Sequence, residues 1–151
     1  MSGPGTTPLF IDTGAFYARV DEADEDHEVA TRVFDGIQSG NLIYRPIFTS
    51  QAVLSEFATL ALYKLGHEDA LKMLNATRES ESINVLPVKI GTFEAAAEQF
   101  EAYDDQGISF VDHTTSILAD ERDIEHVFTF DEDFRTLGFT LVPEDIGFLD
   151  A

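Results

Sequence analysis

The sequence predicts an α/β fold, a three-layer α/β/α sandwich around a parallel sheet of about five strands, and three observations carry that expectation. Short apolar runs alternate with longer segments of helical periodicity along the chain, the signature of strand–helix–strand crossovers. The runs are apolar at nearly every position, as strands covered on both faces must be. The chain has 151 residues and no cysteine, enough for one domain that buries about two-thirds of its unfolded surface.

Each element follows from local pattern. "PLFID" after a Gly/Pro-rich lead predicts a first strand over residues 8–12, with a helical turn over 15–19. Val29, Val33, Phe34 and Ile37 recur at helical spacing, so a helix is expected over 24–39, stopped by Gly40. The acid run 21–28 reads as the solvated start of that helix, where the helix dipole favours negative charge. Residues 45–49 form the second strand. Ser50 caps a helix to Leu65, ended by Gly66, and a further helix covers 67–79. A third strand spans 83–88. Phe93, Ala96, Ala97, Phe100 and Tyr103 mark a helix from Thr92, and residues 109–123 another. Strands at 125–130 and 139–142 complete the sheet. Residues 1–8 are expected to be a flexible lead and 9–151 a single domain.

Composition narrows function. Without cysteine, disulfides, thiolate-held zinc and thiol chemistry are excluded. No apolar run approaches the roughly 18 residues of a membrane span, and residues 1–8 lack a basic, apolar signal segment, so a cytoplasmic protein is expected. Asp plus Glu number 29 against 9 Lys plus Arg, a net charge of −20. The acids are spread along the whole chain. Such a chain repels itself at low salt, whereas at ~1 M salt the Debye length is about 3 Å. The charge therefore suggests a salt-adapted protein of a halophile; an acidic protein with a basic partner is the alternative. Against this background only an acid in an unexpected place is informative.

Four acids qualify. Asp12 follows Leu9-Phe10-Ile11 directly, and Asp131 follows Val127-Phe128-Thr129-Phe130. A carboxylate on a buried strand loses hydration at a cost of several kcal/mol unless it is paired or binds a cation, and ligands of open parallel sheets sit beyond the carboxyl ends of the strands. Glu56 in "AVLSEFATLAL" and Asp112 in "ISFVDHTTSIL" interrupt apolar stretches at helix starts on the same sheet edge. Each has an ordinary alternative: a turn or cap for Asp12 and Asp131, a first-turn acid for Asp112, a rim residue for Glu56. Together they would repel one another unless a cation intervenes. All-oxygen ligands suit Mg²⁺ or Mn²⁺, which act typically on phosphates.

With "LFIDTGAF", "VLSEFATL", "ISFVDHTTSILA" and "VFTFDEDF" in this order and spacing, the chain resembles the PIN-domain nucleases, and among them the small VapC-type toxins. The resemblance runs from Leu9 to Val142. It implies a sheet in order 3-2-1-4-5 and a metal-dependent endoribonuclease leaving a 5′-phosphate and a 3′-hydroxyl. It implies that Asp12, Asp112 and Asp131 hold Mg²⁺ or Mn²⁺, that Asp133 is the possible substitute for Asp131, and that Glu56 binds through water or orients the attacking water. It also implies a homodimer and a small antitoxin partner besides the RNA substrate. The polar run His113, Thr114, Thr115, Ser116 departs from the small apolar residues usual there and suggests a changed surface or polar support behind the site.

Thr13, Ser109 and Thr129 are candidates to hold the ligands in place through their hydroxyls; strand-end or cap hydrogen bonds are the alternative. His113 and His126 read as surface or packing residues, Phe134 as core, and Arg19, Arg45, Arg122 and Arg135 as candidates to meet phosphates, with solvated surface the alternative for each. Two other phosphotransfer classes fit poorly: a dehalogenase-type phosphatase needs a second aspartate two residues after Asp12, and a receiver domain needs a lysine beyond Lys89. A non-toxin RNA-processing nuclease, or a non-catalytic binding module on the same scaffold, is the remaining alternative.

Overall fold

The computed structural model describes residues 5–148. Its elements are β1 (Thr7–Ile11), α1 (Thr13–Val20), α2 (His27–Ser39), β2 (Tyr44–Ser50), α3 (Gln51–Leu65), α4 (His67–Glu79), β3 (Ile83–Leu86), α5 (Ile90–Ala102), α6 (Phe110–Glu121), β4 (His126–Phe128), α7 (Asp133–Thr136) and β5 (Thr140–Val142). A 3-10 turn, Glu144–Ile146, follows. The expected lead falls partly on residues 1–4, and the end of the expected domain on 149–151, outside the described residues; Thr7 and Pro8 already belong to β1.

The five strands pair in parallel in the order β3-β2-β1-β4-β5, the predicted order. Leu9, Phe10 and Ile11 of β1, Val127 and Phe128 of β4, and Leu141 and Val142 of β5 are all buried, as the apolar runs require when helices flank the sheet. Phe16 of α1 packs on Phe34 of α2 and stacks on Phe57 of α3, with ring centroids 6.1 and 5.5 Å apart. Phe34 in turn meets Phe128 of β4 at 5.0 Å. One aromatic cluster thus ties three helices to a central strand, and edge-on or offset ring pairs add about 0.5–1.5 kcal/mol beyond their burial.

The structure shifts several predicted boundaries, for local reasons. The acid run does not start α2. Asp21 and Asp24 each accept a hydrogen bond from the amide two residues on, Ala23 and Asp26, both at 2.9 Å. These turns compete with helix, so α2 begins at His27. Strand β4 stops at Phe128, not Phe130. The Thr129 hydroxyl accepts the Asp131 amide at 3.0 Å and turns the chain out of the sheet. Asp131 therefore lies in a loop past the strand rather than at its last residue. Helix α5 starts at Ile90, two residues before the predicted start.

Candidate active site

Four separate elements deliver acids to one cleft of about 370 Å³ at the carboxyl edge of the sheet. It is lined by Asp12, Glu56, Asp112, Asp131 and Asp133 together with Thr13, Gly14, Gly107, Ser109 and Phe130. Asp12 is the N-cap position of α1. Its amide donates to the Phe128 carbonyl at 3.0 Å, carrying the β1–β4 pairing one residue past β1. Asp112 stands in the first turn of α6, whose N-cap Ser109 accepts the Asp112 amide at 3.1 Å. Glu56 projects half-buried from α3, whose start is fixed by Ser50 accepting the Val53 amide at 3.1 Å. Asp131 and Asp133 share the loop before α7, where Asp131 Oδ1 accepts the Asp133 amide at 2.9 Å.

Thr129 joins two of these acids. Its hydroxyl donates to Asp12 Oδ2 at 2.9 Å while accepting the Asp131 amide. The other oxygen, Asp12 Oδ1, is buried and has no hydrogen-bond partner. A buried carboxylate oxygen in that state is costly. Burial pushes the Asp12 carboxyl up to about 6, against the Thr129 hydroxyl and the Thr13 amide, and the charges of Glu56 and Asp131 add to the rise. Burial likewise pushes Asp112 up to about 8, reinforced by the charges of Asp12, Asp131 and Glu56. Asp12 and Asp112 are 5% and 7% exposed. They titrate as members of one coupled set.

The donor set fits a hard divalent cation. Asp112, Asp131 and Asp133 each offer a carboxylate oxygen within 4.8 Å of the others, close enough for one ion to draw together by small side-chain rotations. Asp12, expected from the sequence to be a ligand, lies outside that cluster, although it lines the same cleft and has one oxygen unpartnered. Among the described residues no sulfur or imidazole lines the cleft, which suits Mg²⁺ or Mn²⁺ over softer ions. Asp133, read from sequence only as a substitute for Asp131, stands beside it in the tightest cluster.

The remaining candidates divide. Thr13 and Ser109 line the cleft, and Thr129 braces it from behind. His113 is wholly buried, with Nδ1 2.8 Å from Gln99 Nε2 and the Phe100 and Tyr103 rings beside it. Thr114, Thr115 and Ser116 are buried with it, so the polar run is interior, packed towards α5 through His113, and forms no new surface. His126 bonds through Nδ1 to the Tyr44 hydroxyl at 2.8 Å. Phe134 is core. Arg19 lies over Phe34 and Arg122 over Phe48, while Arg135 pairs with Glu132, Glu144 and Asp145. No arginine or lysine lines the cleft among the described residues. Sequence reasoning passed over Gly14, Gly107 and Phe130, which no local pattern marks as site residues. A larger groove of about 720 Å³, lined by Gln51, Leu54, Ser55, Thr59, Arg78 and Val85 among others, holds no carboxylate. The chemistry belongs to the smaller cleft.

Comparison with known proteins agrees with this geometry. The model of the PIN domain family matches residues 9–140. The 23S rRNA-specific endonuclease VapC20 of Mycobacterium tuberculosis is 30% identical over 136 residues, covering 89% of this chain and 97% of that protein. Its crystal structure, described as that of a sarcin-ricin loop cleaving toxin, superposes with a TM-score of 0.78 over 87% of this chain and 95% of that one. At 12% and 13% identity, VapBC2 of Rickettsia felis bound to promoter DNA and FitAcB of Neisseria gonorrhoeae share the fold, with TM-scores of 0.65 and 0.62 and coverage of 89% and 88% of this chain and 97% and 95% of theirs. With its sheet order, its cleft of acids and a match over most of its length, this chain belongs to the PIN domain family.

Proposed function

We propose that this chain is a divalent-metal-dependent endoribonuclease, the toxin of a toxin–antitoxin pair, acting on a structured RNA loop of the kind its mycobacterial relative is named for cleaving. The observation that carries the reading is the convergence of Asp12, Glu56, Asp112, Asp131 and Asp133 on one cleft that, among the described residues, has no cationic side chain in its lining. Such a site is unstable empty and is neutralised by a hard cation.

Asp12, Asp112 and Asp131, with Asp133 beside them, would hold the ion. Once bound, it supplies Lewis-acid polarisation of the phosphoryl group and a water of lowered pKa. Every other part falls to the chain. Thr129 keeps Asp12 oriented, leaving Oδ1 as the free ligand oxygen. Glu56, half-buried on α3, orients the attacking water and accepts its proton. Water attacks phosphorus, the bond from phosphorus to the 3′-oxygen breaks, that oxygen takes a proton from solvent, and the products carry a 5′-phosphate and a 3′-hydroxyl. Protons compete with the ion for Asp12 and Asp112, so metal affinity rises with pH up to about 8, where the Asp112 carboxyl titrates.

A small antitoxin is the partner, consistent with the VapBC complexes among the structural neighbours. A homodimer would cover some of the exposed apolar side chains, among them Leu62 and Tyr63 of α3 and Leu71 of α4. No helix among the described residues is long and apolar enough to cross a membrane.

The test is cleavage of an rRNA stem-loop in molar KCl with Mn²⁺, Mg²⁺ or EDTA, wild type beside Asp112→Asn. Cuts that need metal and vanish in the variant are expected. A folded wild type that cuts neither this loop nor ribosomes under any metal would instead favour a non-catalytic binding module.

A further inference from the structure

We infer that the first turn of α1 seats the scissile phosphate of the substrate, through the Thr13 hydroxyl and the Gly14 amide. This deepens the ribonuclease reading and rests on it.

The cleft poses a problem that its metal ligands do not solve. A phosphodiester must settle among at least five carboxylates with no arginine or lysine in the lining. Oxygens not facing the ion need donors that are neutral. Asp12, Thr13 and Gly14 line the cleft consecutively, so the first turn of the eight-residue α1 opens into it. The first amides of a helix have no intrahelical acceptor and attract anions. Asp12, at the N-cap, makes no capping hydrogen bond to that turn; its Oδ2 is taken by Thr129, and only the Thr13 amide, not that of Gly14, acts on its carboxylate. Another helix that starts at the cleft, α6, is closed by contrast, because the Ser109 hydroxyl caps it.

Two further features of α1 point to a ligand. The Thr13 hydroxyl is buried, with the residue 5% exposed, and has no hydrogen-bond partner in the protein. A desolvated hydroxyl left unpaired is costly and is relieved by an acceptor brought from outside. Gly14 is not required by the backbone, since its φ is not left-handed, and a Cβ built there meets nothing within 4 Å. Alanine would strengthen the helix at that position. Packing within the fold therefore gives no reason for glycine. The space it leaves beside the amide is the space a phosphate oxygen needs.

The experiment uses Ca²⁺ in place of Mg²⁺, so that RNA binds without being cut, and follows a fluorescein-labelled RNA stem-loop by anisotropy in molar KCl. Thr13→Val is expected to weaken RNA binding by about tenfold or more, the effect of removing one hydrogen bond to a charged group, and Thr13→Ser to restore it. Gly14→Ala is expected to raise the melting temperature and still weaken RNA binding. Mn²⁺ affinity without RNA, read by electron paramagnetic resonance, is expected to stay unchanged in all three. Unchanged RNA binding in Thr13→Val and Gly14→Ala, with a wild type that binds and cuts, would overturn the phosphate seat and leave the nuclease standing. Loss of Mn²⁺ affinity in Thr13→Val would assign the hydroxyl to the ion and also overturn it. A wild type that neither binds nor cuts RNA would overturn both readings.

Discussion

Asp112 is ionised at a cost in this fold, and the cost has a defined pH window. Its carboxyl titrates at 3.8 in the absence of perturbation and at about 8 here, chiefly through burial. Between those values the folded chain binds more protons than the unfolded one, so the contribution of this group to stability falls as pH rises through the window and is lowest above it. Asp12 behaves alike between 3.8 and about 6. In EDTA, Asp112→Asn should therefore melt above the wild type at pH 8, with the gap closing towards pH 4. Saturating Mn²⁺ should reverse the order, because only the wild type gains the full binding energy of the ion. A thermal melt series across pH checks both; a gap that widens towards pH 4 would contradict the assignment. Asp12 and Asp112 were legible in the sequence because each carboxylate interrupts an apolar run, where solvation makes acids rare. Asp131 was legible only as a neighbour of the strand, since the turn made by Thr129 depends on a hydroxyl whose partners are set in three dimensions. Thr13 was marked only by its hydroxyl beside Asp12, and Gly14 not at all: an unpaired hydroxyl and an empty space exist only once the chain is folded.

At the scale of elements, termini were read best where a side chain closes them. Ser50 and Gly66 bracket α3 where the sequence placed them, and Ser109 closes α6. Cap chemistry is local, so it survives translation from sequence to structure. The start of α2 was misread because Asp21 and Asp24 favour turns through their own backbone, although the same acids suit a helix start. Helix α7, with four residues, is too short for any periodicity to reveal. Since α3 carries Glu56 less than two turns from its cap, the cap serves both fold and site. Ser50→Ala should lower stability by about 1 kcal/mol, read from guanidinium unfolding, and should leave the slope of the transition unchanged because the folded shape is kept.

At the scale of the molecule, five of the nine basic residues are exposed yet engaged by the protein's own groups. Arg19, Arg32, Lys64 and Arg122 lie over the rings of Phe34, Phe148, Tyr17 and Phe48, and Arg135 is held by three acids. With a net charge of −20, little remains to neutralise an RNA backbone. Proteins that grip single strands through phosphates lose affinity with a log–log salt slope of roughly −0.7 per contact. Here the slope of RNA binding against KCl should lie near zero, or turn positive as self-repulsion is screened; a steep negative slope in an anisotropy titration would refute this. The cleft without a cation has one more consequence. Heparin and other polyanionic decoys work by occupying basic surfaces, and this protein offers them none at its cleft. A crude extract rich in such decoys should leave its cutting untouched while silencing nucleases that hold RNA by charge.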